Sequence, residues 1–170
     1  MVLSDKTIKD TVTHWYPLVE PLDEKNLGPA SVDLTLADDF VDENGMRTRL
    51  EDGLNAFNIL PGEFWLMSTK ERINVPSNMV AVVKGKSSLA RMGLMVECAG
   101  FVDPGFSGQI TLEVKNLNKE RIISLKPGMK ICQIVFMKMD SIANNPYGEV
   151  TGHHYSGQQG ATRSWMEEQS

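Results

Sequence analysis

Cysteine is scarce: Cys98 and Cys132 are the only two in 170 residues. They allow one disulfide at most. Both stand in apolar, strand-like text, so the expectation is buried thiols in a reducing cytoplasm, not a disulfide framework. Histidine is scarce too, with His14, His153 and His154 alone. Neighbours in an extended chain point opposite ways, so His153 and His154 do not converge on one ion, and no third ligand stands at metal spacing. A bound zinc is therefore not expected. No apolar run approaches the ~18 residues of a membrane span. The opening Met1-Val2-Leu3-Ser4-Asp5-Lys6 lacks the basic and then apolar layout of a signal peptide. There is no basic tract either, and the net charge is −5. That argues against nucleic acid as the main partner, because a polyanion needs a positive footprint. One small anion held by a few local cations remains compatible with it.

What is present suits one ordinary globular domain spanning residues 1–170, with 41% hydrophobic and 23% charged residues and no internal repeat. A helix is expected near the start. Ser4 caps it, Asp5 suits its positive end, and Ile8, Thr11, Val12 and Trp15 form one stripe before Pro17 stops it. Beyond it the chain reads as short strands broken by Gly, Pro, Asn and Asp: Ser31–Leu36, Glu63–Ser68, Asn78–Lys84, Gly108–Asn116 and Lys130–Met137. The acidic, turn-rich stretch Val41–Asn58 reads as a long surface hairpin. Residues 144–170 are polar and Gly-rich without a period, either a frayed end or a mobile lid.

Three segments carry candidate chemistry. Gly85-Lys86-Ser87-Ser88-Leu89-Ala90-Arg91 follows an apolar strand and offers backbone N–H groups, hydroxyls and cations to a phosphate chain. It lacks the spacing of a Walker loop, and by itself it reads rather as a serine-capped helix start with a solvated Arg. The second runs from Ala99 through Asp103 and Gly108 into Gln109–Asn116. There Ile110, Leu112 and Val114 share one face, and Thr111, Glu113 and Lys115 the other. Glu113 is either a general base in a cleft, with Asp103 as a second acid, or a carboxylate facing water from a half-exposed sheet. The third is His153-His154-Tyr155-Ser156-Gly157-Gln158-Gln159-Gly160-Ala161-Thr162-Arg163-Ser164, in the tail. The H-x-E and P-C-x-x-C signature of zinc deaminases is missing throughout.

Taken together, and in order, these segments resemble the dCTP deaminases of the dCTP deaminase and dUTPase superfamily. The family's G-R-S-S-L-x-R-x-G-L corresponds to Gly85–Leu94. Its A-G-(F/W)-(I/V)-D-x-G-(F/W)-x-G-x-I-T-L-E-x-x-N corresponds to Ala99–Asn116, its P-G-M-x-I-x-Q to Pro127–Gln133, and its tail motif to Tyr155–Ser164. Pro29–Leu34 and Leu3–Ile8 match as well, so the resemblance spans nearly the whole chain. It implies a mainly β fold, a distorted barrel or jelly-roll of the dUTPase-like type with a short N-terminal helix. It also implies a homotrimer with active sites between subunits.

The resemblance further implies zinc-independent deamination of dCTP, with Glu113 activating water for attack on cytosine C4 and then helping ammonia leave. Ser87, Arg91 and the backbone of Ala99 would position the water and the base. Lys86, Ser88, Tyr147, His154 and Gln158 would contact phosphates, with Mg2+ bridging the triphosphate. Val102 and Gln133 fall at further nucleotide-binding positions. Asp103 matches an aspartate of the dUTPases, and its presence beside Glu113 resembles the bifunctional members that carry dCTP on to dUMP. The expected ligands are dCTP and dUTP, with dTTP as a candidate inhibitor. The chain departs from the pattern twice. Lys86 replaces an Arg, turning a bidentate phosphate contact into a point charge. His154 replaces a Lys, making that contact depend on protonation near neutral pH. A dUTPase without deaminase activity, and a nucleotide sensor on the same scaffold, stand as alternatives; Glu113 speaks against the first, because dUTPases need no carboxylate there.

Overall fold

The structure, a computed structural model, describes residues 1–13, 16–50, 56–97, 100–148 and 153–167. Helix α1 (Asp5–Thr13) begins where Ser4 Oγ accepts the N–H of Thr7 at 3.4 Å, the N-cap geometry expected of serine. Ile8 plugs it into the core at 1% exposure. The side chain of Val12 and all of Trp15 lie outside the described residues.

Among the described residues twelve strands follow, with a 3-10 turn (Glu24–Asn26) and one short α-helix among them. They are β1 (Val19–Glu20), β2 (Leu27–Gly28), β3 (Ser31–Asp42), β4 (Arg47–Arg49), β5 (Phe57–Ile59), β6 (Phe64–Asn74) and β7 (Met79–Gly85). Then come α2 (Ser87–Ala90), β8 (Leu94–Glu97), β9 (Phe101–Val102), β10 (Ser107–Asn116), β11 (Ile123–Leu125) and β12 (Lys130–Lys138). The main sheet runs β8-β10-β6-β3-β12-β7-β9, while β5 and β11 pair separately. Every pairing is antiparallel.

β3 joins the two halves of the sheet. Its Val32–Thr35 stretch pairs with β12, and from Leu36 onward it pairs with β6, with a register shift between Leu36 and Phe40. A strand that changes partners at such an irregularity bends and twists the sheet, and the result is a curled half-barrel. Its concave side is filled by alternating side chains. Val32, Leu34 and Leu36 of β3, Ile110, Leu112 and Val114 of β10, and Ile134 and Phe136 of β12 are all buried. Each such side chain contributes roughly 1.5–3 kcal/mol of burial free energy.

The five expected strands are present; four run longer than their sequence signal, while Met79–Gly85 keeps the expected seven residues shifted by one. β3 is the extreme case, twelve residues where six were expected. The irregularity before Phe40 explains the difference, because Phe40 and Val41 are consecutive and both buried, which breaks the alternation. The stretch Val41–Asn58 is accordingly not a purely surface hairpin. Its first arm is core strand, and Arg47–Arg49 pairs back onto Asp39–Val41. At its far end Phe57 stacks on Phe40 at 4.3 Å and meets Trp65 edge-on at 4.7 Å. Residues 51–55 lie outside the described residues, as does Cys98, while Cys132 is fully buried. Among the described residues no helix is long and apolar enough to cross a membrane.

Candidate active site

The polar face of β10 opens into a cavity of about 660 Å³, within the roughly 300–1,000 Å³ of small-molecule sites. Thr111 and Glu113 form its floor with Phe64 and Leu66 of β6. Glu113 sits mid-strand, its Cα opposite Leu66 on one side and Glu97 on the other. The strict alternation of β10 decides its direction. Leu112 and Val114 turn into the core at 0% exposure, so Glu113 must face the cavity.

One wall is β9 and the turn after it, with Phe101, Val102, Asp103 and Phe106 lining the space. Val102 is buried against β7, where its partner is Ala81, while Asp103 is exposed. The turn is pinned from both sides. Gly105 donates its N–H to Val75 O at 2.8 Å, and Val75 donates to Phe106 O at 2.8 Å. Gly105 has φ +90°, and a Cβ there would lie 2.6 Å from the Tyr147 carbonyl oxygen. Tyr147 in turn donates its N–H to Pro104 O. The glycine thus seats the start of the tail against the turn that carries Asp103.

The tail forms the roof. Gly157 donates its N–H to Ser107 O at 2.7 Å, Gln109 donates to Gln158 O at 3.1 Å, and Gln158 Nε2 donates to Gln109 O at 2.7 Å. Further on, Thr162 donates its N–H to Thr111 Oγ1 at 3.1 Å. The tail therefore tracks β10 toward Glu113. Two tyrosines fasten its aromatic part, since Tyr147 Oη accepts from the N–H of Tyr155 and Tyr155 Oη accepts from that of Trp165. The adjacent histidines part company as expected. His153 stacks on Tyr147 at 4.2 Å, and His154 stacks on Trp165 at 4.0 Å.

Of the positions singled out in the sequence, Glu113, Asp103, Val102, Tyr147, His154 and Gln158 all line this one cavity. Gln158 does so with its amide N–H already given to the backbone of β10. Lys86, Ser87, Ser88, Arg91 and Gln133 line no part of it. They stand at the end of β7, on the short helix α2 and on β12. Ser87, Ser88 and Arg91 are exposed, and the residue at the helix N-cap is Lys86, not a serine. Lys86 pairs with Asp33 at 2.5 Å, Lys130 meets the other oxygen of the same carboxylate at 3.1 Å, and Gln133 is the Cα partner of Asp33. Ala99 lies outside the described residues. The resemblance implies active sites between subunits. Here the tail closes on Glu113 and Asp103 of its own chain, and the Lys86–Arg91 loop is the part left apart.

Residues 2–139 match the family model described as dCTP deaminase-like. The chain belongs to that family. A "dCTP deaminase, dUMP-forming" from Persephonella marina is 39% identical, the alignment covering 96% of both chains. One of the same name from Dictyoglomus thermophilum is 40% identical over 96% of this chain and 94% of its own. Another from Hydrogenobaculum sp. is 46% identical over 84% and 85%. The crystal structure of a 2'-deoxycytidine 5'-triphosphate deaminase from Agrobacterium tumefaciens superposes with a TM-score of 0.68 at 18% identity. It covers 79% of this member of the dCTP deaminase-like family and 47% of the Agrobacterium chain, a likeness of fold.

Sequence reasoning missed Asp39 and Arg47, and it placed Tyr155 and Thr162 in the tail motif without their part in holding the roof. The one available signal was a charge, Asp39, directly before two apolar residues in a strand.

Proposed function

We propose that this chain deaminates dCTP and carries the product on to dUMP. The observation that supports it most is the convergence of Glu113 and Asp103 on a single cavity roofed by the chain's own tail. Glu113 accepts a proton from a water, and the resulting hydroxide adds to C4 of cytosine. The same carboxyl gives that proton to N3, then carries the proton of the new C4 hydroxyl to the 4-amino group, and ammonia leaves as the carbonyl of uracil forms. The balance is dCTP plus water giving dUTP plus ammonia. A second water then cleaves dUTP to dUMP and diphosphate, with Asp103 as the carboxylate nearest in kind to that of the dUTPases. Matching groups to charge changes in this way is worth ~10²–10⁴-fold for the base alone.

Magnesium belongs to the substrate, as counter-ion of the triphosphate, and Glu113 does the water activation for which other deaminases use zinc. The tail acts as a lid, with Tyr147, His154 and Gln158 toward the phosphates, and excludes bulk water during the reaction. Lys86, Ser87, Ser88, Arg91 and Gln133 complete the site of a neighbouring copy, which makes a homotrimer the working unit. Purified protein given dCTP and magnesium tests the reading. Ammonia and dUMP are the expected products, dUTP alone would remove the second step, and turnover of dUTP without dCTP would leave a dUTPase.

A further inference from the structure

Beyond Glu113 and Asp103, the roof rests on a buried charge that the site itself does not use. Asp39 is 2% exposed, and its Oδ2 accepts twice: from Arg47 Nη1 across the β3–β4 hairpin and from the backbone N–H of Ala161 at 2.9 Å. Arg47 turns Nη2 onto the Ala161 carbonyl at 2.8 Å. One tail residue is therefore held at both its N–H and its C=O by a single ion pair, and Ala161 is itself 0% exposed. Charge-assisted bonds of this kind are roughly twice as strong as neutral ones.

Gly160 makes the approach feasible. Its N–H goes to Gln109 Oε1 at 2.6 Å, its φ is +71°, and a Cβ there would overlap Asp39 Oδ2. The hairpin tip adapts in the same way. Gly45, at φ +82°, leaves the space taken by the guanidinium of Arg163, which pairs with Glu167 at 2.7 Å beside the cavity. An ion pair that only closed a surface hairpin would have no need of a buried carboxylate. Asp39 is covered because the tail lies on it.

We infer that Asp39 and Arg47 are positioning residues for the active site, a clamp on Ala161 that sets the tail over Glu113 without touching the nucleotide. This rests on the lid reading above. Arg163 is the only Lys or Arg after Lys138, so trypsin cleavage there, read by mass as loss of the seven residues beyond it, reports tail docking independently of turnover. Arg47→Ala is expected to raise the cutting rate about tenfold and lower kcat/KM for dCTP about tenfold, the ratio that ~1.4 kcal/mol of docking represents. Arg47→Lys, which reaches one partner instead of two, should recover part of both. Gly160→Ala changes only the tail and should reproduce both effects even if Arg47→Ala weakens the barrel. Unchanged cutting and unchanged kcat/KM in Arg47→Ala and Gly160→Ala would overturn the clamp. If wild type fails to turn over dCTP while the cutting rates still shift, the clamp stands and the substrate assignment falls.

Discussion

Thr162 donates its backbone N–H to Thr111 Oγ1 at 3.1 Å, two residues along the same strand face from Glu113. The strand that presents the carboxylate also presents the hook for the roof. Thr111→Val keeps the shape and deletes the acceptor. A net hydrogen bond is worth ~0.5–1.5 kcal/mol, so kcat/KM for dCTP should fall about three- to tenfold with the melting temperature unchanged. Steady-state kinetics beside a thermal melt would check this, and an unaltered kcat/KM would detach the tail from the reaction.

Gly105→Ala should hurt both stability and activity. The new Cβ meets the Tyr147 carbonyl, and the backbone is left at φ +90°. The left-handed conformation alone costs a non-glycine residue about 1–2 kcal/mol. For a chain of this size each kcal/mol lowers Tm by roughly 2–4 °C. A drop of about 2–8 °C in calorimetry is expected, together with weakened turnover as Tyr147 and Asp103 separate.

Removing Tyr155–Ser170 should leave the barrel folded and abolish turnover. The sheet and its core residues lie upstream of residue 139, apart from Ala161. Circular dichroism should show the β signature retained, while product formation from dCTP becomes undetectable. Full kcat/KM in the truncated protein would mean that the tail is only a frayed end.

How much of this was legible in the sequence differs from residue to residue. Glu113 was legible because β10 alternates strictly for ten residues, so the polar face followed from its apolar neighbours. The tail was legible only as a motif, since Tyr155, Gln158 and Gly160 obey no periodicity and take their geometry from β10. Asp39 showed only as a charge before two apolar residues, and Arg47 not at all. Their shared partner is a peptide group more than a hundred residues away, and the irregularity after Leu36 hides the strand that carries Asp39. Nor does spacing reveal that Lys86, Ser87, Ser88, Arg91 and Gln133 stand apart from the cavity, because β7 and β10 are not neighbours in the sheet.

That separation yields a prediction about assembly. Light scattering should give the mass of three chains. Arg91→Ala and Glu113→Gln should each be inactive alone. Co-expressed and purified as mixed trimers they should regain deaminase activity, because some sites then draw an intact Arg91 from one chain and an intact Glu113 from another. A mixture as inactive as its components would place the whole site within one chain.

Glu113→Gln tests the central claim most directly. Leu112 and Val114 hold the strand in the core, so the variant should fold as wild type, and the amide preserves shape while losing the proton acceptor. Release of ammonia from dCTP should drop by about 10²–10⁴-fold or more, with dCTP still bound in calorimetric titration and with dUTP hydrolysis reduced far less. Deamination at the wild-type rate would contradict the account.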